Sequence, residues 1–346
     1  MSILSGVNAF FGLDIGSTAV RLVELHGTGT PKALVKYAYM PIDSKIALSD
    51  SKNDQQRLAQ AISQLITQAR VSTKNVAVGL PSGRVFTTVA DVDQLPTNEL
   101  SKAIRYQADA LIPTPLEESK IDWAVLGDSP ASKTKTEILL SSVPNKLVEG
   151  RLDMLESIGL NVIAFEPDNL ALARALSASD SPAPQMVIDV GFKGTDLVIV
   201  ANGAPKLTRS IPTGMEAIVR SALQNLNVDE KQAEQFVTKF GLSKDKLEGQ
   251  VYQAIIGTVD ILTSEVEKSI KFYETRYVNS KVERVIVTGG ASVLPEFPLH
   301  FANKFGLNVE IGNAWRNVQF AADRQNELLA ISNQFGVAVG LAERIE

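Results

Sequence analysis

Two stretches half a chain apart each carry an aspartate, an apolar residue and a glycine at the end of a strand-like run: Asp14-Ile15-Gly16 and Asp189-Val190-Gly191. A strand that ends in Asp-x-Gly and turns tightly into the next strand suits an anion. Glycine lets the backbone come close, and small residues such as Ser17 and Thr18 leave N–H groups pointing at the ligand. The aspartate at the strand end reaches a Mg²⁺ ion through water without neutralising the phosphates itself. Arg21, on the strand leaving the first turn, offers a cation to the same phosphates. Two such hairpins facing one another would clamp a polyphosphate from both sides. A third stretch, VIVTGGASVLP from Val285, runs a strand into Gly289 and Gly290 and suits an adenosine. The competing reading is that Asp14 and Asp189 only cap hairpin turns, where Asp and Gly are common. Two copies in register, plus the diglycine, favour a nucleotide cleft.

The elements around these turns repeat. Strand-like runs are expected at Ala9 to Leu13, Val20 to Leu25 and Lys32 to Ala38, followed by an amphipathic helix over Gln55 to Arg70 and a valine-rich strand over Asn75 to Leu80. In the second half, short apolar strands at Met186 to Asp189, Asp196 to Val200 and Lys206 to Ile211 precede helices at Gly214 to Leu226, Glu230 to Phe240 and Gln250 to Tyr277. A buried-strand pattern at Arg284 to Thr288 follows. The match is residue-level: Leu22-Val23 and Leu197-Val198 stand at one spacing from their aspartates, and Pro31-Lys32 answers Pro205-Lys206. Such a repeat is a duplicated domain whose copies face each other across a cleft. SASDSPAP, from Ser177 to Pro184, is the boundary between the halves. Residues 83 to 165 read as an α+β insert with no phosphate loop: strand Val85 to Val89, helix Thr97 to Leu111, strands Lys120 to Leu126 and Thr136 to Val143, helix Asn145 to Ile158, and a return through Val162 to Phe165.

Composition narrows the chemistry. The 346 residues carry 34 Lys and Arg against 39 Asp and Glu, a net charge of −5 that argues against a nucleic-acid partner. With no cysteine and only His26 and His300, a thiolate nucleophile, a disulfide framework and a Cys- or His-built metal site are excluded, so any metal must use oxygen ligands. Neither histidine has a second His or a carboxylate at ligand spacing, and structural or surface roles are expected for both. No run approaches the roughly 20 apolar residues needed to span a bilayer. No signal peptide is read before the first strand, and SILSGVNAFF is read as a frayed entry to it, because it carries no Lys or Arg to meet anionic lipid.

DIGSTAVRLVEL, DVGFKGTDLVIV and the Gly289 to Leu294 stretch resemble the phosphate-1, phosphate-2 and adenosine motifs of the actin, hexokinase and heat-shock-chaperone ATPase superfamily. Within it GLDIGSTAVRLVEL, IRYQADALIPTPLEE (Ile104 to Glu118), EPDNLALARAL (Glu166 to Leu176) and QFGVAVGLA resemble the type IV pilus assembly protein PilM family, which is similar to the cell-division protein FtsA in carrying an inserted subdomain in the first lobe. The resemblance implies a duplicated, actin-like (RNase H-like) α/β fold of two lobes. The first would span 1–82, with 166–180 and a C-terminal helix at 328–346 packing back; the insert 83–165; the second 181–327, its helical part at about 214–281. It also implies ATP and Mg²⁺ as cofactors, with Asp14 and Asp189 as water-mediated metal anchors. Gly16, Ser17, Thr18 and Arg21 would hold the phosphates, Gly191 and Thr195 their opposite side, and Gly289, Gly290 and Ser292 the adenosine. Glu234, in AEQF, is similar to a ribose-contacting Glu, with Val237 where the superfamily helix has a Lys.

The same resemblance implies a cytoplasmic scaffold, recruited to the inner face of the cytoplasmic membrane, that captures the N-terminal peptide of a PilN-like inner-membrane protein; other platform proteins or a second copy are further partners. Tyr106, Ile112, Pro113 and Pro115 are expected to wall a peptide groove, with core packing as the alternative. A metabolite or sugar kinase on this fold would need a carboxylate base and a polar pocket in the insert, which do not stand out. An FtsA-like filament protein is disfavoured by an ending without an amphipathic tail. No general base for water is evident, and hydrolysis is expected to be weak.

Overall fold

The computed structural model describes residues 9–178 and 181–345. The reading of SILSGVNAFF falls mostly outside them, as do Ser179 and Asp180 of the boundary segment.

The first half opens with the meander β1 (Phe11–Ile15), β2 (Ala19–His26) and β3 (Lys32–Pro41), then α1 (Ser44–Ala47), α2 (Lys52–Ala69) and β4 (Asn75–Leu80). After the turn Ser82–Arg84 come β5 (Phe86–Asp93), α3 (Thr97–Leu111), β6 (Ser119–Asp128), β7 (Lys135–Pro144), α4 (Asn145–Ser157), β8 (Asn161–Pro167) and α5 (Asp168–Leu176). The second half runs β9 (Gln185–Val190), β10 (Thr195–Ala201), β11 (Ala204–Ile211), α6 (Met215–Leu226), α7 (Glu230–Phe240), α8 (Gln250–Arg276), β12 (Arg284–Thr288), α9 (Phe297–Phe305) and β13 (Asn308–Ile311). It closes with β14 (Val318–Gln319), α10 (Gln325–Ile331) and α11 (Gly336–Ala342).

Two mixed sheets result, ordered β14-β3-β2-β1-β4-β8 and β11-β10-β9-β12-β13. In each, the central strand pairs antiparallel with its hairpin partner and parallel with a later strand: β1 with β2 and β4, β9 with β10 and β12. Strand alternation then sorts the side chains. Phe11, Leu13 and Ile15 face α2 with Leu58, Ile62 and Leu65, and Met186, Ile188 and Val190 face α6 and α8. The residues between them face inward. Asp14 and Asp189 are therefore turned toward the space between the sheets, which α5 and α11 fill beside them: Leu172, Leu176, Val337 and Leu341 pack with Val23 and Ala77 of one sheet and Val187, Val198 and Ile286 of the other. The crossing is tight, since a Cβ on Gly340 would lie 1.9 Å from the Ala171 carbonyl oxygen.

The third sheet, β5-β7-β6, belongs to the insert, with α3 on one face through Leu100, Ile104, Ala108 and Ile112 against Ala90, Val92, Ile138 and Leu140. The insert is shorter than 83–165. Strand β8 pairs with β4 in the first sheet, and Met154, Leu155 and Leu160 join the α2 core, so α4 and β8 are first-lobe elements. Local pattern could not separate them from the insert, because the partner surface lies some eighty residues upstream. Likewise β14 pairs with β3, returning the chain to the first lobe before residue 327.

Candidate functional site

The inward-facing aspartates open on a cavity of about 800 Å³ between the lobes. Asp14, Gly16, Ser17, Thr18 and Arg21 line it from the first lobe; Asp189, Gly191, Glu234, Gly289 and Gly290 line it from the second. The second turn is closed by Gly191 N–H donating to the Gly194 carbonyl at 2.9 Å, and it rests on the start of α6, whose Met215 and Glu216 amides donate to the carbonyls of Gly191 and Phe192, both at 2.9 Å. Gly289 has φ +84, and a Cβ there would be 2.2 Å from the Asp189 carboxylate. Only glycine lets the β12 turn lie against that aspartate. The Asn333 side-chain amide donates to the Gly289 carbonyl at 2.9 Å, while Gly289 N–H donates to the Asn333 carbonyl at 2.8 Å, which ties the diglycine turn to the C-terminal segment.

The register of the two hairpins sets the electrostatics. Opposite Asp14 on β2 stands Arg21, whose Nη1 lies 3.3 Å from Oδ2; opposite Asp189 on β10 stands Asp196. Asp168, at the start of α5, completes a group of four aspartates lining one cavity. Burial raises all four above the usual carboxylate range. Asp189 is pushed up to about 7 and is further repelled by Asp196 and Asp14, with Arg21 opposing; Asp196 is pushed up to about 6, moderated by the Ser210 and Ser82 hydroxyls. Asp14 is raised by burial against the pull of Arg21, and Asp168 is raised by burial and then by Asp14, Asp196 and Asp189. The buried Oδ1 atoms of Asp168 and Asp196 have no hydrogen-bond partner.

Of these four buried aspartates only Asp14 is paired with a guanidinium and two keep an orphaned oxygen, a shortfall of positive charge beside them that a hydrated divalent cation would correct. Among the described residues no three acidic or histidine side chains converge closely enough to bind a metal directly. The donor set fits a cation held through water, its remaining positions taken by waters and phosphate oxygens. Sequence reasoning passed over Asp168, Asp196, Ser82 and Asn333. Asp196 carried a legible signal, standing as far after Asp189 as Arg21 stands after Asp14. Asp168 and Asn333 did not, because only the packing of α5 and the C-terminal segment brings them to the cavity.

Two expected ligands are placed elsewhere. The Thr195 hydroxyl is buried and donates to the Thr213 carbonyl at 2.7 Å; the Ser292 hydroxyl is buried and donates to the Gly289 carbonyl at 2.7 Å. Both brace turns that line the cavity and are absent from its wall. Glu234 lies on the exposed side of α7 at the rim beside Thr238, while Val237 points into the second-lobe core. On the insert, Tyr106 is 87% exposed and Pro113 and Pro115 are exposed, but Ile112 is 6% exposed and belongs to the core under α3. Ile112 is thereby corrected from groove wall to packing residue. His300 stands 3.5 Å from Asp260 of α8, a contact within the second lobe. Among the described residues no helix is long and apolar enough to cross a membrane.

This architecture is similar to that of several solved structures. A PilM–PilN type IV pilus biogenesis complex matches with 26% identity and a TM-score of 0.82 over 96% of this chain and 97% of that chain. The ethanolamine utilization protein EutJ from Carboxydothermus hydrogenoformans matches in fold, with 16% identity and a TM-score of 0.58 over 96% and 88% of the two chains. MreB5 of Spiroplasma citri bound to AMPPNP does so with 13% identity and a TM-score of 0.56 over 96% and 94%. The sequence family described as type IV pilus assembly protein PilM matches residues 12–346. With nearly the whole chain so matched, on a two-lobed actin-like fold with paired aspartate turns, the chain belongs to the type IV pilus assembly protein PilM family.

Proposed function

We propose that the chain is an ATP-binding scaffold of the type IV pilus assembly platform that captures the N-terminal peptide of a PilN-like inner-membrane protein and is held by it at the cytoplasmic face of that membrane. The observation that carries this reading is the likeness, over almost the full length of both chains, to a protein solved in complex with PilN. Family membership leaves the metabolite-kinase alternative without support.

In the cleft, the turns Gly16 to Thr18 and Phe192 to Gly194 would present backbone N–H groups from opposite lobes to the phosphates, the Gly191 N–H being spent on closing the second turn. Asp14 and Asp189 would anchor the waters of the cation, Arg21 favours the charged form of Asp14 against its burial, and the diglycine turn with Glu234 would frame the nucleoside. Mg²⁺, when bound, neutralises phosphate charge and joins the lobes through the nucleotide. Asp168 lines the cavity and burial raises its proton affinity, so it would be the carboxylate to take a proton from an attacking water where turnover occurs. On the insert, Tyr106 offers a large exposed aromatic surface at small entropic cost, beside the rigid Pro113 and Pro115.

The test is isothermal titration of the protein with a short peptide of the PilN N-terminal type, with and without Mg-ATP, alongside thermal shift with ATP, ADP and EDTA. Peptide binding and a metal-dependent thermal shift are expected. A folded protein that binds no such peptide removes the pilus reading, and one that shows no ATP-dependent shift removes the cleft assignment.

A further inference from the structure

The insert joins the first lobe covalently, through the turn Ser82–Arg84 and through β7 running into α4, yet its buried carboxylate is held by the second lobe. Glu137, on the central strand β7, is 0% exposed. Its carboxylate accepts from Lys206 Nζ of β11 at 2.6 Å, from Arg276 Nη2 at the end of α8 at 3.1 Å, and from the Tyr277 hydroxyl. Arg276 also donates to Asp91 of β5 at 2.8 Å, and the Thr208 hydroxyl of β11 donates to the Thr87 carbonyl at 3.0 Å. A buried carboxylate is tolerated only when paired and hydrogen-bonded, so this contact resists separation far more than an exposed ion pair would. Its partners come from elements that belong to the second lobe, across the cleft from the insert's own covalent root.

The root itself lies in the cavity wall. Ser82, Gly83 and Arg84 line the nucleotide cavity, and Gly83 sits against Ser210 of β11. A ligand that draws the lobes together therefore acts on a segment fastened at one end to the first lobe and locked at the other to the second.

We infer that the insert moves with the second lobe, and that the Glu137 cluster relays nucleotide-driven lobe movement into a displacement of the insert against the first lobe. The regulatory consequence, that nucleotide alters peptide affinity at the insert, rests on the function proposed above. The displacement itself does not. Movement of this kind needs a ligand that distinguishes the two lobe arrangements, and a nucleotide gripped from both sides does so.

The chain has no cysteine, so spin labels enter only where they are placed. Labels at Val125→Cys of the insert (52% exposed) and Ile261→Cys of α8 (62% exposed) report the distance from insert to second lobe, and Val125→Cys with Gln68→Cys of α2 reports that from insert to first lobe. Adding Mg-AMPPNP is expected to change the second distance by more than about 2 Å and to leave the first unchanged. In Glu137→Gln the first distance distribution broadens and the nucleotide effect on the second shrinks. Tyr277→Phe, which removes one donor and keeps the ring, shows the same change to a smaller degree and carries the test where Glu137→Gln does not fold. The inference is overturned if nucleotide shifts the insert against the second lobe while the distance to the first lobe holds, or if neither distance moves. Absence of peptide binding in a parallel titration sinks the proposed function and leaves the distance result to stand or fall alone.

Discussion

Arg21 and Asp196 occupy the same position in the two copies of the duplicated hairpin, each directly across the ladder from its aspartate, and they carry opposite charges. The first copy therefore partly offsets the buried charge of Asp14, while the second leaves Asp189 facing another carboxylate. The copies share a backbone and divide the electrostatic work, with the second lobe needing a cation from outside. Removing each residue should act in opposite directions. Arg21→Gln leaves Asp14 unpaired, and loss of a charge-assisted hydrogen bond worth about 1.5–3 kcal/mol should weaken Mg-ATP binding by roughly tenfold or more in calorimetry. Asp196→Asn relieves repulsion, so it should raise the melting temperature of the ligand-free protein and reduce the dependence of ATP binding on Mg²⁺.

The raised carboxylates fix the sign of the pH dependence. A carboxyl whose folded pKa lies above its unfolded value binds more protons in the folded state, so folded stability falls as pH rises between the two values. With Asp196 at about 6, Asp189 at about 7 and Glu343 also at about 7, against unfolded values of about 4, the ligand-free protein should lose stability from about pH 4 to about pH 7 and level off above. Metal binding selects the charged form, so the increment in melting temperature from Mg-ATP should grow over the same range. Thermal scans at fixed ionic strength check both; a ligand-free stability that rises through this window would contradict the carboxylate cluster.

Asp168→Asn should separate binding from turnover. Loss of a general base costs about 10²–10⁴-fold in rate, so single-turnover phosphate release should fall by at least about a hundredfold while ATP affinity stays within a few-fold. Equal turnover in the variant would show that water is activated elsewhere.

Two neighbouring insert residues should behave differently. Tyr106→Ala removes an exposed ring, so stability should change by no more than about 0.5 kcal/mol while affinity for the PilN-type peptide falls at least tenfold. Ile112→Ala opens a cavity beneath α3 and should cost about 2–5 kcal/mol in denaturant unfolding, with weaker peptide binding only as far as the insert loosens.

Gly340→Ala places a methyl where α11 crosses α5, with the Ala171 carbonyl oxygen 1.9 Å from the ideal Cβ. The helices must part, and overpacking of this kind costs about 1–3 kcal/mol or more. Because both helices floor the cleft, the ATP-dependent thermal shift should shrink with the melting temperature.

The sequence by itself determined the main strands, the long helices and the two aspartate turns. Leu58, Ile62 and Leu65 recur at helical spacing, and Asp14 and Asp189 end apolar runs, so local periodicity and turn chemistry were enough to place them. Tertiary structure alone decided which distant segments complete the site and which residues leave it. Asp168 reaches the cavity because α5 packs between two sheets, and Asn333 because the chain returns after β14; neither approach leaves a trace in nearby spacing. Thr195, Ser292 and Ile112 have residue types suited to binding, yet their side chains are taken up by a carbonyl or a core contact that forms only on folding. The attachment of the insert to the second lobe was equally hidden, because Glu137 meets Lys206, Arg276 and Tyr277 across a gap of some seventy or more residues, and only the closed chain makes burial of its charge tolerable.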